Sequence, residues 1–172
     1  MTTITDFTSE EQARLSTAPF NLGMAMAMSS GSGLGTIKEA VKVAQATIAG
    51  RAAFPNSTLI GSLISALETR IKENRDDVQE MLKPDPSVKS PEDLANLALD
   101  GVSKAVAAVT AKASAEETGE YKQWLMQIAQ MVAGAATEGG FLGIGGQRFS
   151  DPEKAMLQRV ATVLGVTYTP PA

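Results

Sequence analysis

At 172 residues the chain is long enough for one domain with a hydrophobic core, and it has a formal net charge of −4 at pH 7. It contains no cysteine and no histidine, which excludes disulfides, thiolate and imidazole metal sites, and catalysis by Ser/His/Asp or Cys/His groups. The acidic balance also argues against a domain that mainly binds nucleic-acid phosphates.

Helix start signals recur along the chain, at Thr8, Thr36, Ser57, Ser90, Ser114 and Ser150. Four of them have a glutamate three residues later and fit the capping box, in which hydroxyl and carboxylate each accept a backbone N–H. At a fifth, Ser90 precedes Pro91, which is favoured at the first helical position because its missing N–H costs nothing there. We therefore expect a helix to begin at each of these positions.

The first long apolar stretch, residues 15–37, predicts a helix that is buried on most sides. Its dense apolar part, residues 20–28, is too short for a membrane span, which needs roughly 20 residues. Pro19 either kinks this helix or starts a second one. The first residues show no basic region followed by an apolar one, so we expect a cytoplasmic chain without a signal peptide or an integral membrane segment.

Apolar residues in the later segments recur at helical spacing. These positions are Leu59, Ile60, Leu63, Ile64, Leu67 and Ile71; Leu94, Leu97, Ala98, Val102, Ala105, Val106 and Val109; Tyr121, Trp124, Leu125, Ile128, Val132 and Ala135; Val160, Ala161 and Leu164. No alternating run indicates a strand. The sequence predicts a single all-α domain over residues 1–172, a compact bundle of six or seven helices with Trp124 as its largest buried side chain.

The two halves of the chain share a weak internal pattern. Residues 21–28 lead through a small-residue loop to the helix capped by Thr36, and residues 128–137 lead through a glycine-rich loop to the helix capped by Ser150. The halves are either two pseudo-repeated helical hairpins, with a boundary near residues 83–89, or unrelated helix pairs that look alike.

The glycine-rich segment before the last helix holds the candidate site, namely Phe141, Leu142, Gly143, Ile144, Gly145, Gly146, Arg148 and Ser150. Backbone N–H groups, Arg148 and the helix N-terminus after Ser150 could bind an anion or small molecule, although neither a Walker nor a Rossmann pattern is present. Two other interpretations are open. Phe141, Leu142 and Ile144 form an exposed interface, or these three residues and Phe149 fold back onto the core.

Metal and cofactor sites are not indicated elsewhere. Met24, Met26 and Met28 are spaced by two, which scatters their sulfurs around a helix and favours core packing. The acidic clusters at residues 73–80 and 116–120 could hold Ca²⁺ or Mg²⁺ only loosely, because they lack an alternating ligand loop. We therefore expect no catalytic residue, no metal and no cofactor.

Two motifs carry a family resemblance: Ser29-Ser-Gly-Ser-Gly with Glu39, and Arg148-Phe-Ser-Asp-Pro-Glu153. Together they resemble the tellurite-resistance B-like helical domains, which implies a compact all-α domain from bacterial stress and surface-associated systems. In that family acidic residues near the loops bind metal. The family's Asp-Gly before the second helix is replaced here by Ser30-Gly31 and Gly145-Gly146, so the resemblance does not imply metal binding.

Together these features predict a non-catalytic protein that acts by self-association or by binding a protein partner. The alternative is a small-molecule or anion-binding domain, or a weak enzyme, that uses residues 139–149 and the following helix N-terminus. Peripheral membrane association and nucleic-acid binding are disfavoured, because the net charge is negative and no basic amphipathic face is evident.

Overall fold

The computed structural model of the chain describes residues 1–29, 37–73, 86–137 and 149–169. Within these ranges it contains no strand and six α-helices, which are α1 Ser9–Ser29, α2 Ile37–Ala53, α3 Thr58–Glu73, α4 Pro91–Lys112, α5 Ala115–Thr137 and α6 Asp151–Leu164. A short 3-10 turn, Ile4–Asp6, precedes α1. The predicted all-α bundle is therefore confirmed.

Helix α1 lies at the centre of the bundle and contacts each of the other five helices. Leu15, Leu22 and Met26 are completely buried, as expected for a helix that has neighbours on most sides. The helix continues through Pro19, so the interpretation in which Pro19 starts a second helix is wrong. The predicted burial of the first apolar stretch is confirmed as far as Ser29, where the described part of α1 ends.

Two glycines allow α2 to approach its neighbours closely. A Cβ atom at Gly23 of α1 would lie 2.5 Å from Cγ1 of Val43, and one at Gly50 would overlap the indole of Trp124. No side chain fits in either place without displacing its neighbour. These two contacts fix α2 between α1 and α5.

Most residues on the predicted apolar faces lie in one core, and Trp124 is only 1% exposed. The two clear exceptions are Ile71 and Leu97, each of which is 37% exposed. Ile71 lies near the C-terminal end of α3, and Leu97 lies among exposed residues of α4. Helical spacing alone places both on the apolar face, but neither has a helix packed over it in the described structure.

Helix α4 is long and apolar enough to cross a membrane by length and composition, with a mean hydropathy of 1.2 over its most apolar window. Its apolar residues Val102, Val106 and Val109 are buried in the core. Asp100 and Lys104 form an ion pair on its exposed side. A core helix of a bundle has the same composition, so this similarity is weak evidence for a membrane span.

The most extensive helix–helix contact joins α1 to α4, which belong to different halves of the chain. The two halves therefore share one core and do not form separate hairpin bodies. Of the predicted boundary at residues 83–89, only residues 86–89 belong to the described part. They form a turn and an extended stretch before α4.

Candidate interaction surface

Ser150 is the one predicted site residue within the described structure, where it is the N-cap of α6. Its Oγ accepts the N–H of Glu153 at 3.4 Å, while Oε2 of Glu153 accepts the N–H of Ser150 at 2.7 Å. The same carboxylate oxygen accepts the Ser150 hydroxyl at 2.8 Å. Glu153 is 1% exposed, so the first turn of α6 already holds a carboxylate from its own chain.

The other predicted site residues lie outside the described ranges: Phe141, Leu142, Gly143, Ile144, Gly145, Gly146 and Arg148. The helix ends that flank their segment can nevertheless be located. Nζ of Lys42, near the start of α2, donates to the carbonyl of Ala135, near the end of α5, at 2.9 Å. The start of α2, after residues 30–36, and the end of α5, before residues 138–148, therefore meet at one end of the bundle.

A groove of about 270 Å³ lies at this end, lined in part by Ser29 of α1, Pro91 of α4 and Pro152 of α6. Its cation, Arg159, donates to Oδ1 of Asn96 at 2.7 Å and forms an ion pair with Glu92 at 3.1 Å. The guanidinium charge is thus already balanced by a carboxylate. The groove therefore has little to bind a small anion, because its own residues already use its cationic group.

Helices α2 and α5 form an antiparallel pair. Nε1 of Trp124 donates to the carbonyl of Thr47 at 3.1 Å, so the middle of α2 faces the first half of α5. The contact between Lys42 and Ala135 lies at the opposite end of the pair. The indole ring also lies against Gly50. These contacts fix which sides of α2 and α5 face inward and which face outward.

The outward sides of this pair form a surface that we call the uncharged face. Its residues are Val41, Gln45, Ala49 and Ala52 of α2 and Gln123, Gln127, Gln130 and Met131 of α5. All eight are exposed or half-buried, with Val41 50% and Met131 40% exposed. The α2 residues are three or four positions apart, and on α5 Gln130 and Met131 lie three and four positions after Gln127, so each set follows one side of its helix.

The uncharged face differs from other parts of the described surface. Ion pairs elsewhere on the bundle join Arg14 to Glu10, Arg51 to Glu68, Lys104 to Asp100, Lys112 to Glu11, and Arg159 to Glu92. By contrast, residues 43–50 of α2 and 123–137 of α5 include no charged residue. The nearest charged groups on α2, Lys42 and Arg51, bind Ala135 and Glu68 of the same chain.

The first half of α5 has a different role, because it anchors residues 2–7. Oε1 of Glu117 accepts the N–H of Thr2 at 2.5 Å, and Oε2 accepts the Thr2 hydroxyl at 3.1 Å. These bonds, together with the N–H of Ser114, lower the pKa of Glu117 to about 2. The shifted pKa thus has a structural cause and does not indicate a catalytic carboxylate.

Lys112 anchors the same segment from the end of α4. Its ammonium group pairs with Glu11 at 2.6 Å and lies 5.3 Å from the ring centre of the buried Phe7. This lysine, with the N–H of Thr8, lowers the pKa of Glu11 to about 2. Burial raises the pKa of Tyr121, whose hydroxyl has no hydrogen-bond partner in the described structure. None of these groups lies on the uncharged face.

Sequence reasoning missed the uncharged face, although a signal was present. Residues 123–137 form the longest part of a helix without a charged residue in the second half of the chain. The pairing of this stretch with the outward side of α2 depends on tertiary structure and has no sequence signal.

Comparisons of the chain with protein-family models, curated proteins and solved structures returned no match. The resemblance to tellurite-resistance B-like domains therefore stays a prediction from the sequence.

Proposed function

We propose that the protein is a non-catalytic helical protein that binds a second copy of itself through the uncharged face. The observation that carries this proposal is the uncharged face, in which Val41 and Met131 are exposed and beside which Lys42 is bound to the carbonyl of Ala135. Depletion of charged residues and enrichment of methionine are typical of the centres of protein interfaces. The sequence resemblance supports a bacterial stress-related setting, and a cytoplasmic location is part of the proposal.

A second copy fits this face better than a strongly charged partner does. Each chain carries a net charge of −4, so two copies repel each other across most orientations. Two uncharged faces can meet without that repulsion. The face also offers no group that could pair with the charges of a basic or acidic partner.

The glutamines of the face make it complementary to itself. A glutamine amide both donates and accepts hydrogen bonds, so Gln123, Gln127 and Gln130 can pair with the same residues of a second copy. A two-fold interface brings identical patches together and requires this kind of self-complementarity. Val41 and Met131 add apolar area that is removed from water on association.

Sedimentation equilibrium of the purified chain tests the proposal. We expect a dimer whose dissociation constant rises at least about tenfold in Gln127→Glu, because a two-fold axis brings the two new charges close together. The matched control is Ser103→Glu on the exposed side of α4, which adds the same charge away from the face and should dimerise like the wild type. A monomeric wild type, or equal dimerisation of both variants, would contradict the proposal.

A second pair of substitutions separates the uncharged face from the predicted loop interface. Leu142→Ser with Ile144→Ser removes the apolar groups of the glycine-rich segment. If this variant is monomeric with unchanged helical circular dichroism, while Gln127→Glu remains dimeric, the loop and not the uncharged face mediates self-association. A dimer with a lower melting temperature would instead mean that Leu142 and Ile144 pack in the core.

A further inference from the structure

Met131 is the most exposed methionine that the structure describes within the bundle. Met26, Met126 and Met156 are buried, with exposed fractions of 0%, 7% and 3%, and Met24 and Met28 are half-buried. Met131 is 40% exposed and lies on the uncharged face, one helical turn from Gln127. Met1 is 99% exposed, but it lies at the end of the chain and is not part of that face. An oxidant in solution therefore reaches Met131 far more easily than the core methionines.

We propose that Met131 is an oxidation-sensitive switch of self-association, an inference that rests on the function proposed above. The oxidant is a peroxide. A lone pair of Sδ attacks one peroxide oxygen, the O–O bond breaks and an S–O bond forms. Sulfur loses two electrons and becomes the sulfoxide, while the departing oxygen takes up a proton and leaves as water or an alcohol.

The neighbouring amide explains why the sulfoxide would oppose association. Nε2 of Gln127 lies 3.9 Å from Sδ of Met131, and a thioether is a weak acceptor. A sulfoxide oxygen is a stronger acceptor that can hold this amide within its own chain. The amide is then lost to pairing with a second copy, and a new polar group must be desolvated when the two faces meet.

Self-association and oxidation of Met131 should also compete with each other. An interface on the uncharged face covers Met131 in the dimer, so peroxide reaches the sulfur mainly in the dissociated chain. The oxidation rate of Met131 should therefore fall as the protein concentration rises through the dissociation constant. Met1 is outside the face, and its oxidation rate should not depend on protein concentration.

The experiment combines hydrogen peroxide treatment, peptide mass mapping and sedimentation equilibrium of the full chain. We expect sulfoxide at Met131, a rise of about tenfold in the dissociation constant, and recovery after treatment with methionine sulfoxide reductase. Met131→Leu should dimerise, and peroxide should not raise its dissociation constant. Met1→Leu is the matched control, which should respond to peroxide like the wild type.

The possible failures can be told apart. If the reduced chain dimerises and the Met131 sulfoxide dimerises equally well, the switch is overturned while the proposed self-association stands. An equal peroxide response in Met131→Leu would assign the effect to another methionine and would also overturn the switch. If the reduced chain is monomeric, the proposed function fails, and the switch fails with it.

Discussion

The two halves of helix α5 have different roles. The first half carries Glu116, Glu117, Glu120 and Lys122, and Glu117 holds the N-terminal segment by two hydrogen bonds. The second half, from Gln123, has no charged residue. Its inward side packs in the core through Ile128 and Val132, which are almost fully buried, and its outward side contributes to the uncharged face.

The difference shows that a charged residue in the first half of α5 binds another segment of the same chain, whereas the half of α5 on the uncharged face has no charged residue. Within the described structure, the ion pairs connect elements of one chain or stabilise single helices. The lack of charged residues on the uncharged face needs a different explanation, because exposed helix surfaces normally carry charged residues. Association with a second copy supplies such a reason. Three substitutions test the contrast between these two regions.

The largest effect is expected where α5 packs on α2. Gly50→Ala places a Cβ atom inside the contact distance of the Trp124 indole, so the ring must move and its hydrogen bond to Thr47 is lost. We expect a loss of about 1–3 kcal/mol in the free energy of unfolding, measured by urea denaturation. Trp124 is the single tryptophan, so its fluorescence should also shift to longer wavelength.

The matched control for this substitution is Gly101→Ala in α4. A Cβ atom at Gly101 meets nothing within 4 Å, and alanine is a better helix former than glycine. This variant should gain about 0.5–1 kcal/mol of stability. Equal losses in the two variants would mean that Gly50 does not make the close contact that fixes α2 against α5.

The second prediction concerns the anchored half of α5. The pKa of Glu117 is lowered from 4.5 to about 2 in the folded chain, so the carboxylate stabilises the fold above the unfolded pKa. This stability is lost as the pH falls from about 4.5 towards 2, because protonation removes the acceptor of the Thr2 N–H. Amide exchange at Thr2 and acid unfolding curves measure the loss.

Glu117→Gln should lower stability by about 1 kcal/mol at neutral pH, the usual range for a weakened hydrogen bond. This substitution should also weaken the pH dependence of stability in acid. Some dependence should remain, because Glu11, whose pKa is likewise about 2, still contributes to it. The control is Glu116→Gln, an exposed residue on the same turn. If Glu117→Gln unfolds with the same pH profile as the wild type, the N-terminal segment does not depend on this carboxylate.

The sequence predicted the fold well because helix signals are local. The capping boxes at Thr8, Ser114 and Ser150 are present, and Ser90 caps α4 as expected. Thr36 lies outside the described residues. Helix α3 begins directly after Ser57, as predicted, but the buried hydroxyl of Ser57 has no hydrogen-bond partner in the described structure, so this side chain does not cap the helix.

The site was harder to predict because it depends on how separate helices meet. The local sequence pattern pointed to the glycine-rich segment, of which the structure describes only the last residues, Phe149 and Ser150. The uncharged face combines residues of α2 and α5 that are more than 70 positions apart. Nothing in either segment alone reveals that Gln45 and Gln127 lie on the same side of the bundle, since this follows from the antiparallel packing around Trp124 and Gly50.

The smallest effect is expected at the edge of the uncharged face. Arg51 pairs with Glu68 at 2.9 Å, and the two side chains are 48% and 35% exposed. Exposed pairs contribute little because water screens them and holding two long side chains costs entropy. We therefore expect Arg51→Gln to change stability by less than about 0.5 kcal/mol, with a similar coupling energy in a double-mutant cycle with Glu68→Gln.

This substitution also locates the boundary of the face. Arg51 is held on the side of α3 by Glu68 and by the hydroxyl of Ser65, so it should not enter an interface formed by Val41, Gln45 and Gln127. Arg51→Gln should accordingly dimerise like the wild type in sedimentation equilibrium, whereas Gln127→Glu should not. A clear loss of dimer in Arg51→Gln would extend the interface towards α3 and would mean that charge, and not its absence, contributes to self-association.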